Sequence, residues 1–371
     1  MRVVYIRSAN IYDDSRATKE ITSLAAAGHH VHVLGWNRNG LAPKKAKEVF
    51  SKYSSSVSFD FYDNRLDPNK GNSVTKLLSW DRWVLRTLKK TKDVDVVHAC
   101  DFDSGFAAWR YCKSKKKRLV YDIYDYYIDA HHVPKPLEWM IESLEIKIIN
   151  YAQTTIICTE ERKEQINKAT PKNLVIICNS PDVSEVAPQE EVYDYAYCGT
   201  LCDRRLLAEI LNAYGNNTKF KMLFAGNGAF KEKLLELSGN YDNMTYLGSI
   251  PYADVLKYES ASKVISAIYD PVLRNHRLCA PNKFYEAMAL GKPIIVCKGT
   301  GIDKVVEANN IGLVIDYDAE QFYAALETLV GNDALRAEMG ARAKALYEAQ
   351  YTWNVMKKRL IALYDGLEQS T

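Results

Sequence analysis

The sequence alternates short β-branched stretches with helical patterns, and it does so in two successive series. The first series has strand candidates at 2–6, 31–35, 57–62, 94–99, 118–123, 155–158 and 174–177. The second has them at 193–198, 220–226, 244–247, 264–269, 293–296 and 312–315. Short apolar strands that alternate with helices predict parallel sheets covered by helices on both faces. The chain is therefore predicted to be α/β, with two Rossmann-like parallel-sheet domains.

The domain boundaries follow from where the alternation pauses. The segment 179–191 contains two prolines, acidic residues and little apolar content, which is typical of an interdomain connection. We predict a first domain over 1–182, a linker over 183–192, a second domain over 193–350, and a C-terminal helix over 351–371 that packs back on the first domain. Two such sheets in one chain are expected to face a central cleft, with ligands at the C-terminal ends of the strands.

Charge and composition exclude several classes of protein. The 49 basic and 46 acidic residues nearly cancel, whereas a dedicated nucleic-acid-binding chain normally has a marked basic excess. The N-terminal segment lacks the apolar stretch of about 7–15 residues of a secretory signal. No apolar run approaches the ~18 residues of a membrane span, so we expect a cytoplasmic protein. Its eight cysteines include no C-x-x-C pair and are expected to be buried, reduced thiols.

The segment 281–293, PNKFYEAMALGKP, predicts a helix whose N-terminus binds phosphate. The free N–H groups and the dipole of a helix N-terminus attract phosphate, and Lys283 adds a full positive charge beside Asn282. Glu286, one turn further, is suited to accept hydrogen bonds from the two hydroxyls of a ribose. On spacing alone, an ordinary amphipathic helix with a solvated glutamate remains the alternative.

Further segments occur in a characteristic order: 13–36, 94–103, 195–201, 223–228 and 243–270, followed by Thr352-Trp353. Together with 281–293 they resemble glycosyltransferase family 4, a retaining family with the two-domain GT-B fold. The resemblance implies a nucleoside-diphosphate-sugar donor held by the second domain, retention of configuration, and no metal or other cofactor. It also implies that the donor is contacted by Glu286, Asn282, Gly199, Thr200, Gly226, Asn227 and Leu247.

The sequence departs from that family at one position. The usual signature of the family is a glutamate, seven residues, and a second glutamate. Glu286 matches the second glutamate, but Leu278 stands where the first is expected. This puts in doubt any catalytic duty tied to the first carboxylate and leaves the ribose role of Glu286 unaffected. Arg277, in the loop before this segment, is expected to lie near the transferred sugar.

Two arginines follow the first strand of the second domain. Asp203 is predicted to cap a helix, which places Arg204 and Arg205 in its first turn, where the helix dipole disfavours cations. That placement favours a role in binding an anion. Together with Lys283, the arginines are predicted to stabilise the leaving diphosphate, as preorganised charges do. Surface arginines in a loop are the alternative. We predict no protein base, because the departing phosphate oxygen can take the proton of the acceptor.

Polar residues at the strand ends of the first domain are predicted to face the acceptor or the transferred sugar. They are Asp14, Arg16, His98, Asp101, Tyr124 and Asp125. A tyrosine can donate a hydrogen bond to a sugar hydroxyl but cannot act as a base at neutral pH. Asp101 and Asp103 form a D-x-D sequence, but paired acidic residues are common in polar loops, and we predict no metal site.

The segment 73–90 predicts an amphipathic helix with an apolar face, a basic face, and Trp80 and Trp83 between them. Such a helix either packs on the sheet as an ordinary surface helix or lies in a membrane interface. The second interpretation would place the protein at the inner face of the plasma membrane and suits a lipid-linked acceptor.

These observations predict an enzyme that transfers a sugar from a UDP or GDP donor to a glycan or lipid-linked acceptor in the synthesis of cell-surface polysaccharide or glycoconjugate. Its expected partners are the nucleotide sugar and the acceptor, without nucleic acid. Two alternatives stay open: a nucleotide-sugar epimerase of the two-Rossmann type, and a non-catalytic protein that binds a nucleotide sugar.

Overall fold

The computed structural model describes residues 1–64, 74–131, 133–183 and 186–369. The chain divides into two compact units, Met1–Cys178 with Met356–Thr371, and Asn179–Val355. Each unit contains one sheet in which every strand pair is parallel. The predicted α/β class with two Rossmann-like domains is therefore confirmed.

The first unit is built on a seven-stranded sheet with the order β3-β2-β1-β4-β5-β6-β7. Its strands are β1 Arg2–Arg7, β2 His30–Asn37, β3 Val57–Asp63, β4 Val96–Cys100, β5 Arg118–Ile123, β6 Thr154–Ile157 and β7 Leu174–Ile176. Its helices are α1 Ser15–Ala26, α2 Ala42–Val49, α3 Val74–Lys90, α4 Asp101–Lys115, α5 Tyr127–Ala130 and α6 Lys135–Tyr151. Apolar side chains of the central strands pack against α3, α4 and α6 to form the core.

The second unit has a six-stranded sheet with the order β10-β9-β8-β11-β12-β13. Its strands are β8 Tyr193–Cys198, β9 Met222–Ala225, β10 Met244–Tyr246, β11 Ser262–Ala267, β12 Ile294–Cys297 and β13 Gly312–Ile315. Its helices are α7 Leu207–Ala213, α8 Lys231–Asn240, α9 Tyr252–Ser260, α10 Arg274–Arg277, α11 Asn282–Leu290, α12 Ile302–Asn309, α13 Ala319–Val330 and α14 Asp333–Leu346. The strands β9 and β12 are apolar and fully buried, and β8 and β11 are buried over most of their length, which is why their sequence pattern predicted them.

The chain passes between the two units near Cys178 and again near Met356. The first unit ends at Cys178, four residues before the predicted boundary at 182. The reason is that the Cys178 N–H still contacts the Met356 sulfur, 3.2 Å away, within the first unit. The side-chain amide of Asn179 already donates to the Ala280 carbonyl in the second unit. Residues 184 and 185 of the predicted linker lie outside the described residues.

The last helix, α15 Trp353–Gln369, lies against the first unit over most of its length. Its buried face is formed by Met356, Leu360, Leu363, Tyr364 and Leu367. The Tyr364 hydroxyl lies 2.9 Å from Nδ1 of His98, and Arg118 donates to the Leu367 carbonyl. Polar contacts and apolar packing therefore both hold this helix against the sheet of the first unit.

Helix α3 covers most of the predicted segment 73–90, and its packing supports the interpretation as a surface helix. Trp80 is fully buried and stacks on Trp36 with ring centroids 5.5 Å apart, and Trp83 stacks in turn on Trp80. The expectation that Trp80 lies between the two faces was wrong, because its indole ring is part of the core, whereas Trp83 is half-buried and packs against that core. Ser73, predicted to start the helix, lies outside the described residues. Within the described part of the chain, no helix is both long enough and apolar enough to cross a bilayer.

Candidate active site

The strand order of the second sheet reverses between β8 and β11, and open parallel sheets bind their ligands at the carboxyl ends of strands on either side of such a reversal. The segment after β8 runs from Gly199 to Arg205, and the segment after β11 contains Tyr269 and Asp270. Helix α11 begins shortly afterwards, at Asn282, with Pro281 in the capping position. These three segments form the candidate site.

Lys283 provides the principal positive charge of the site. Its ammonium nitrogen lies 4.6 Å from the ring centroid of Tyr197. Burial alone would lower the pKa of this ammonium, but the neighbouring phenol and carboxyl groups raise it overall, so Lys283 is cationic at neutral pH. A side chain on Gly199 would collide with it, because an added Cβ would lie 2.5 Å from the Lys283 nitrogen. Because Gly199 has no side chain, the Lys283 ammonium lies directly beside the backbone of Gly199.

Glu286 lies one turn further along α11 and is 2% exposed. The hydroxyl of Tyr252, at the start of α9, donates to Oε1 of Glu286 at 2.9 Å. A solvated glutamate on an ordinary amphipathic helix would be exposed, so that alternative is excluded for Glu286. The carboxylate is instead held beside the positive charge of Lys283.

The arginines after β8 lie in a loop, and their predicted place in a helical turn was wrong. Arg204 and Leu206 have φ angles of 68° and 61°, which a right-handed helix cannot contain, and α7 begins only at Leu207. Arg204 donates to the Asp270 carboxylate at 2.8 Å. The Arg205 guanidinium carbon lies 3.6 Å from the ring centroid of Tyr269, so this cation sits directly beside the β11 loop.

His276 completes the surroundings of Arg205. An Arg205 N–H donates to Nε2 of the imidazole at 3.1 Å. Burial and then the charge of Arg205 lower the pKa of His276, which keeps the ring neutral and able to accept this hydrogen bond. Arg205 is therefore oriented by an aromatic face and by a neutral acceptor, and no carboxylate competes for its charge in these contacts.

The remaining predicted donor contacts lie at the ends of β8, β9 and β10. Gly226 has a φ of 138°, and a Cβ there would lie 1.8 Å from the Gly199 carbonyl oxygen, so the two turns pack backbone to backbone. Thr200 and Asn227 lie in these turns, and Leu247 follows β10. Arg277 ends the short helix α10 and is exposed, whereas Leu278 next to it is buried.

The first sheet also reverses its strand order, between β1 and β4, and some of the predicted acceptor-side residues meet there. Arg7 forms ion pairs with Asp14 and Asp101. The Asp101 carboxylate also accepts from the backbone N–H groups of Tyr124 and Asp125, at 2.8 and 3.1 Å. Burial raises the pKa of Asp101 to about 6, against the opposing effect of Arg7. Asp14 and Asp101 therefore organise the loops of this edge.

Arg16 and His98 were predicted to face the acceptor, but both are buried inside the first unit. Arg16 donates to Glu20 at 3.0 Å and to Asp122 at 2.5 Å. His98 has no exposed surface and contacts Tyr364, as described above. The burial of Arg16 could not be predicted from local sequence, because one partner, Asp122, is distant in sequence and the other, Glu20, is an ordinary helix residue of α1. We therefore assign Arg16 and His98 to the core of the first unit and no longer to contacts with a ligand.

One group of potential metal ligands occurs among the described residues. Atoms of His98, Cys100 and Asp122 lie within 4.8 Å of one another, and all three residues are buried. Asp122 is already paired with Arg16, and the His98 ring with Tyr364. A cation there would have to share Asp122 with the guanidinium group of Arg16, so this group fits a core ion-pair network better than a metal site.

The chain matches two family models. Residues 17–185 match Glycosyltransferase Family 4, and residues 198–332 match Glycosyl transferases group 1. Both halves of the chain are glycosyltransferase domains of the GT-B fold. Over 145 residues, the chain is 27% identical to a GDP-mannose-dependent monoacylated alpha-(1-6)-phosphatidylinositol monomannoside mannosyltransferase of Corynebacterium glutamicum, an alignment that covers 38% of this chain and 37% of that protein. The chain spans about a third of the length of the curated relatives it matches.

Solved structures support the predicted fold over the whole length of the chain. Sucrose-phosphate synthase from Thermosynechococcus elongatus superposes with a TM-score of 0.78 and 14% identity, covering 100% of both chains. Anabaena HepE in complex with UDP superposes with a TM-score of 0.73 and 12% identity, covering 99% of this chain and 100% of that chain. At such identities the likeness shows the GT-B fold, which confirms the fold predicted from the sequence.

Several residues of the candidate site were missed by the sequence analysis. Tyr197, Tyr252 and Tyr269 line the cations and carboxylates, and His276 orients Arg205, yet each lies far in sequence from its partner. For the tyrosines the available signal was their high number, 25 residues, which does not identify individual positions; His276 lies in the polar and basic loop 270–280, which was expected near the transferred sugar without a role for each residue.

Proposed function

We propose that this chain transfers a sugar from a UDP- or GDP-sugar to a glycan or lipid-linked acceptor, with retention of configuration and without a metal. The observation that carries the proposal is the placement of Lys283. A half-buried, cationic lysine at the N-terminus of α11, beside the backbone of Gly199, is suited to hold the diphosphate of the donor. Glu286, three residues later, is suited to the ribose hydroxyls.

The proposed reaction breaks the bond between the anomeric carbon and the diphosphate oxygen and forms a bond to the acceptor hydroxyl. Negative charge develops on the departing diphosphate, and Lys283 with Arg205 is suited to stabilise it, because fixed charges need little reorganisation during the reaction. The acceptor proton passes to the departing phosphate oxygen. This route requires no protein base, and no carboxylate is needed at the position of Leu278.

Leu278 also supports a second candidate function, a protein that binds a nucleotide sugar without turning it over. The residue is buried and apolar, so the usual first carboxylate of the family signature is absent at that position. The two functions differ in one observable, because the transferase releases free nucleoside diphosphate when the acceptor is present, whereas the binding protein does not. A change of the donor sugar without any acceptor would instead indicate an epimerase.

Nucleotide binding provides the first test, and we expect UDP or GDP to raise the melting temperature of the protein because a ligand stabilises the state it binds. Glu286→Gln is expected to weaken binding about ten- to a hundredfold, as loss of charge-assisted hydrogen bonds does. The matched control is Glu307→Gln on α12, an exposed glutamate that should bind as the wild type does. Equal affinity of the Glu286 and Glu307 variants would contradict the ribose assignment.

A lipid-linked acceptor is supported by an exposed apolar group at the start of α6. Trp139 is 74% exposed, Leu137 44% and Met140 42%, which is unusual for three large apolar side chains within four residues. The Corynebacterium relative acts on an acylated phosphatidylinositol mannoside, according to its name. We propose that this group, rather than α3, contacts the lipid.

Flotation with vesicles that contain anionic phospholipid tests this contact. We expect the wild type to float with the vesicles, and Trp139→Ser to float at least about threefold less, because tryptophan partitions strongly into membrane interfaces. Val272→Ser, which removes an equally exposed apolar side chain from the second unit, is the control and should float as the wild type does. Equal flotation of both variants would refute the proposed contact.

A further inference from the structure

Arg205 lies between two residues with left-handed backbone. Arg204 and Leu206 have φ angles of 68° and 61°, a region that residues other than glycine rarely adopt. Such a backbone persists only where the surrounding structure holds it, and it is frequent at functional sites. The contacts that hold this turn therefore show how the fold places Arg205.

Both peptide groups that flank Arg205 are held by a hydrogen bond. On the N-terminal side, the Arg204 carbonyl accepts from the Asp270 N–H at 3.1 Å. On the C-terminal side, the Leu206 N–H donates to the hydroxyl of Tyr317 at 2.7 Å. Peptide groups are planar, so the orientations of these two groups set the φ and ψ angles of the residue between them. The side chain of Tyr317 therefore fixes one of the two planes that orient Arg205.

The carboxylate of Asp270 separates the two arginines. Its Oδ2 accepts from the Arg204 side chain at 2.8 Å, and its Oδ1 accepts from the Val272 N–H at 2.9 Å. Arg204 is thereby turned toward Asp270. Arg205, on the other side of the turn, has the Tyr269 ring beside it and keeps its charge available for an anion.

Tyr317 follows β13, which is the edge strand of the second sheet, and its side chain is half-buried. Its hydroxyl connects the loop after β13 to the loop after β8. Leu206 is 1% exposed and belongs to the core, and its carbonyl accepts from the Ile210 N–H at 3.0 Å, where α7 begins. Loss of the Tyr317 hydroxyl would leave the N–H of this buried leucine without the partner that it now has.

We propose that Tyr317 is a positioning residue for Arg205, whose hydroxyl keeps the guanidinium in place for the donor diphosphate. The proposal rests on the diphosphate role proposed above for Arg205. Tyr317 acts through the backbone alone, because it holds the turn at Leu206. Without the hydroxyl, the turn can relax toward ordinary φ angles, and the guanidinium then leaves the Tyr269 ring and His276.

Calorimetric titration of UDP and of GDP into the protein tests this proposal. Tyr317→Phe keeps the ring and removes the hydroxyl, so the affinity should fall about two- to tenfold, the usual effect of losing one neutral hydrogen bond. The matched control is Tyr323→Phe, because the Tyr323 hydroxyl donates to the Ile210 carbonyl of α7 at 2.8 Å. The control loses a similar hydrogen bond to the same helix region, so it should lower the melting temperature and leave the affinity unchanged.

The Arg205→Met variant shows whether the loss of affinity acts through Arg205. In that background, Tyr317→Phe should cause no further loss, because the effects of residues that act as a unit are not additive. Wild-type affinity in Tyr317→Phe would overturn the proposal. So would equal losses in Tyr317→Phe and Tyr323→Phe, or the same loss with and without Arg205.

The pKa of His276 gives a second readout that does not depend on nucleotide. Burial and then the charge of Arg205 lower this pKa, and a hydrogen bond to the Asp270 carbonyl opposes them. If Tyr317 holds Arg205 beside the ring, Tyr317→Phe should raise the pKa of His276 toward its value in Arg205→Met. Tyr323→Phe should leave this pKa unchanged.

NMR titration of the imidazole signals measures the pKa, with the signal of His276 assigned by its loss in His276→Gln. If the wild type binds neither UDP nor GDP, the proposed function fails, and the NMR titration still decides the positioning role. A raised pKa of His276 in Tyr317→Phe would then support that role, and an unchanged pKa would overturn it.

Discussion

Replacing Lys283 by methionine is expected to lower turnover by about 100- to 1,000-fold, the usual effect of removing one group that stabilises developing negative charge. Lys283 is a half-buried cation in the first turn of α11, and its loss leaves the buried Glu286 without the positive charge beside it. We also expect the affinity for UDP or GDP to fall by about ten- to a hundredfold. Steady-state release of nucleoside diphosphate and calorimetric titration measure the two effects.

The control for this experiment is Lys257→Met, which removes an exposed lysine from α9. It should leave turnover and affinity unchanged, because a single solvent-exposed charge contributes little. If the wild type proves to be a binding protein without turnover, the affinity measurement still tests Lys283. Nucleotide affinity of the Lys283 variant within about twofold of the wild type would exclude a diphosphate contact.

Replacing Arg16 by methionine is expected to destabilise the first unit by about 3–5 kcal/mol, the usual cost of removing one partner from a buried ion pair. The substitution leaves the carboxyl groups of Glu20 and Asp122 in the core without their shared cation. Five of the six tryptophans lie in the first unit, so fluorescence during denaturant unfolding reports mainly on this unit. The exposed pair of Arg2 and Asp93 provides the control, and Arg2→Met should cost less than about 1 kcal/mol.

The effect of the Arg16 substitution should also depend on pH. Burial would raise the pKa of Asp122, but the charge and hydrogen bond of Arg16, together with those of His98, outweigh it and hold the pKa below the usual value. The stability that Arg16 contributes through Asp122 is therefore present above the pKa of the unfolded carboxyl group, near pH 4, and is lost as the pH falls through the lower folded value. The gap in stability between Arg16→Met and the wild type should be largest near neutral pH and should shrink in acid. A gap that is independent of pH would mean that Arg16 acts through packing alone.

The strands and the helix of the donor segment were predictable because the residue types within each segment determine its secondary structure. A strand buried on both faces is apolar over most of its length, so the runs around β1, β4, β8 and β12 were visible in the sequence. Lys283 and Glu286 were predictable as a pair because they lie three residues apart at the start of one helix.

Other features depend on which distant segments meet, and no local pattern encodes that. Arg205 contacts Tyr269 only because β8 and β11 are neighbours in the sheet, and Tyr252 reaches Glu286 across 34 positions of sequence. The left-handed backbone at Arg204 and Leu206 could not be predicted, because neither residue is a glycine. Trp80 was misplaced because an indole ring suits both a core and an interface, so amphipathic spacing alone could not decide between them.

The contact between Tyr364 and His98 joins residues 266 positions apart, and this separation affects how the protein is made. A ribosome releases the strands of the first unit long before it reaches the helix that covers His98. Until residue 364 has been synthesised, the face of the sheet that α15 covers has no partner within its own unit, even though the rest of the unit can fold. We expect nascent chains that end in the second unit to expose this face to chaperones, and the second unit to be synthesised in full before the first is complete.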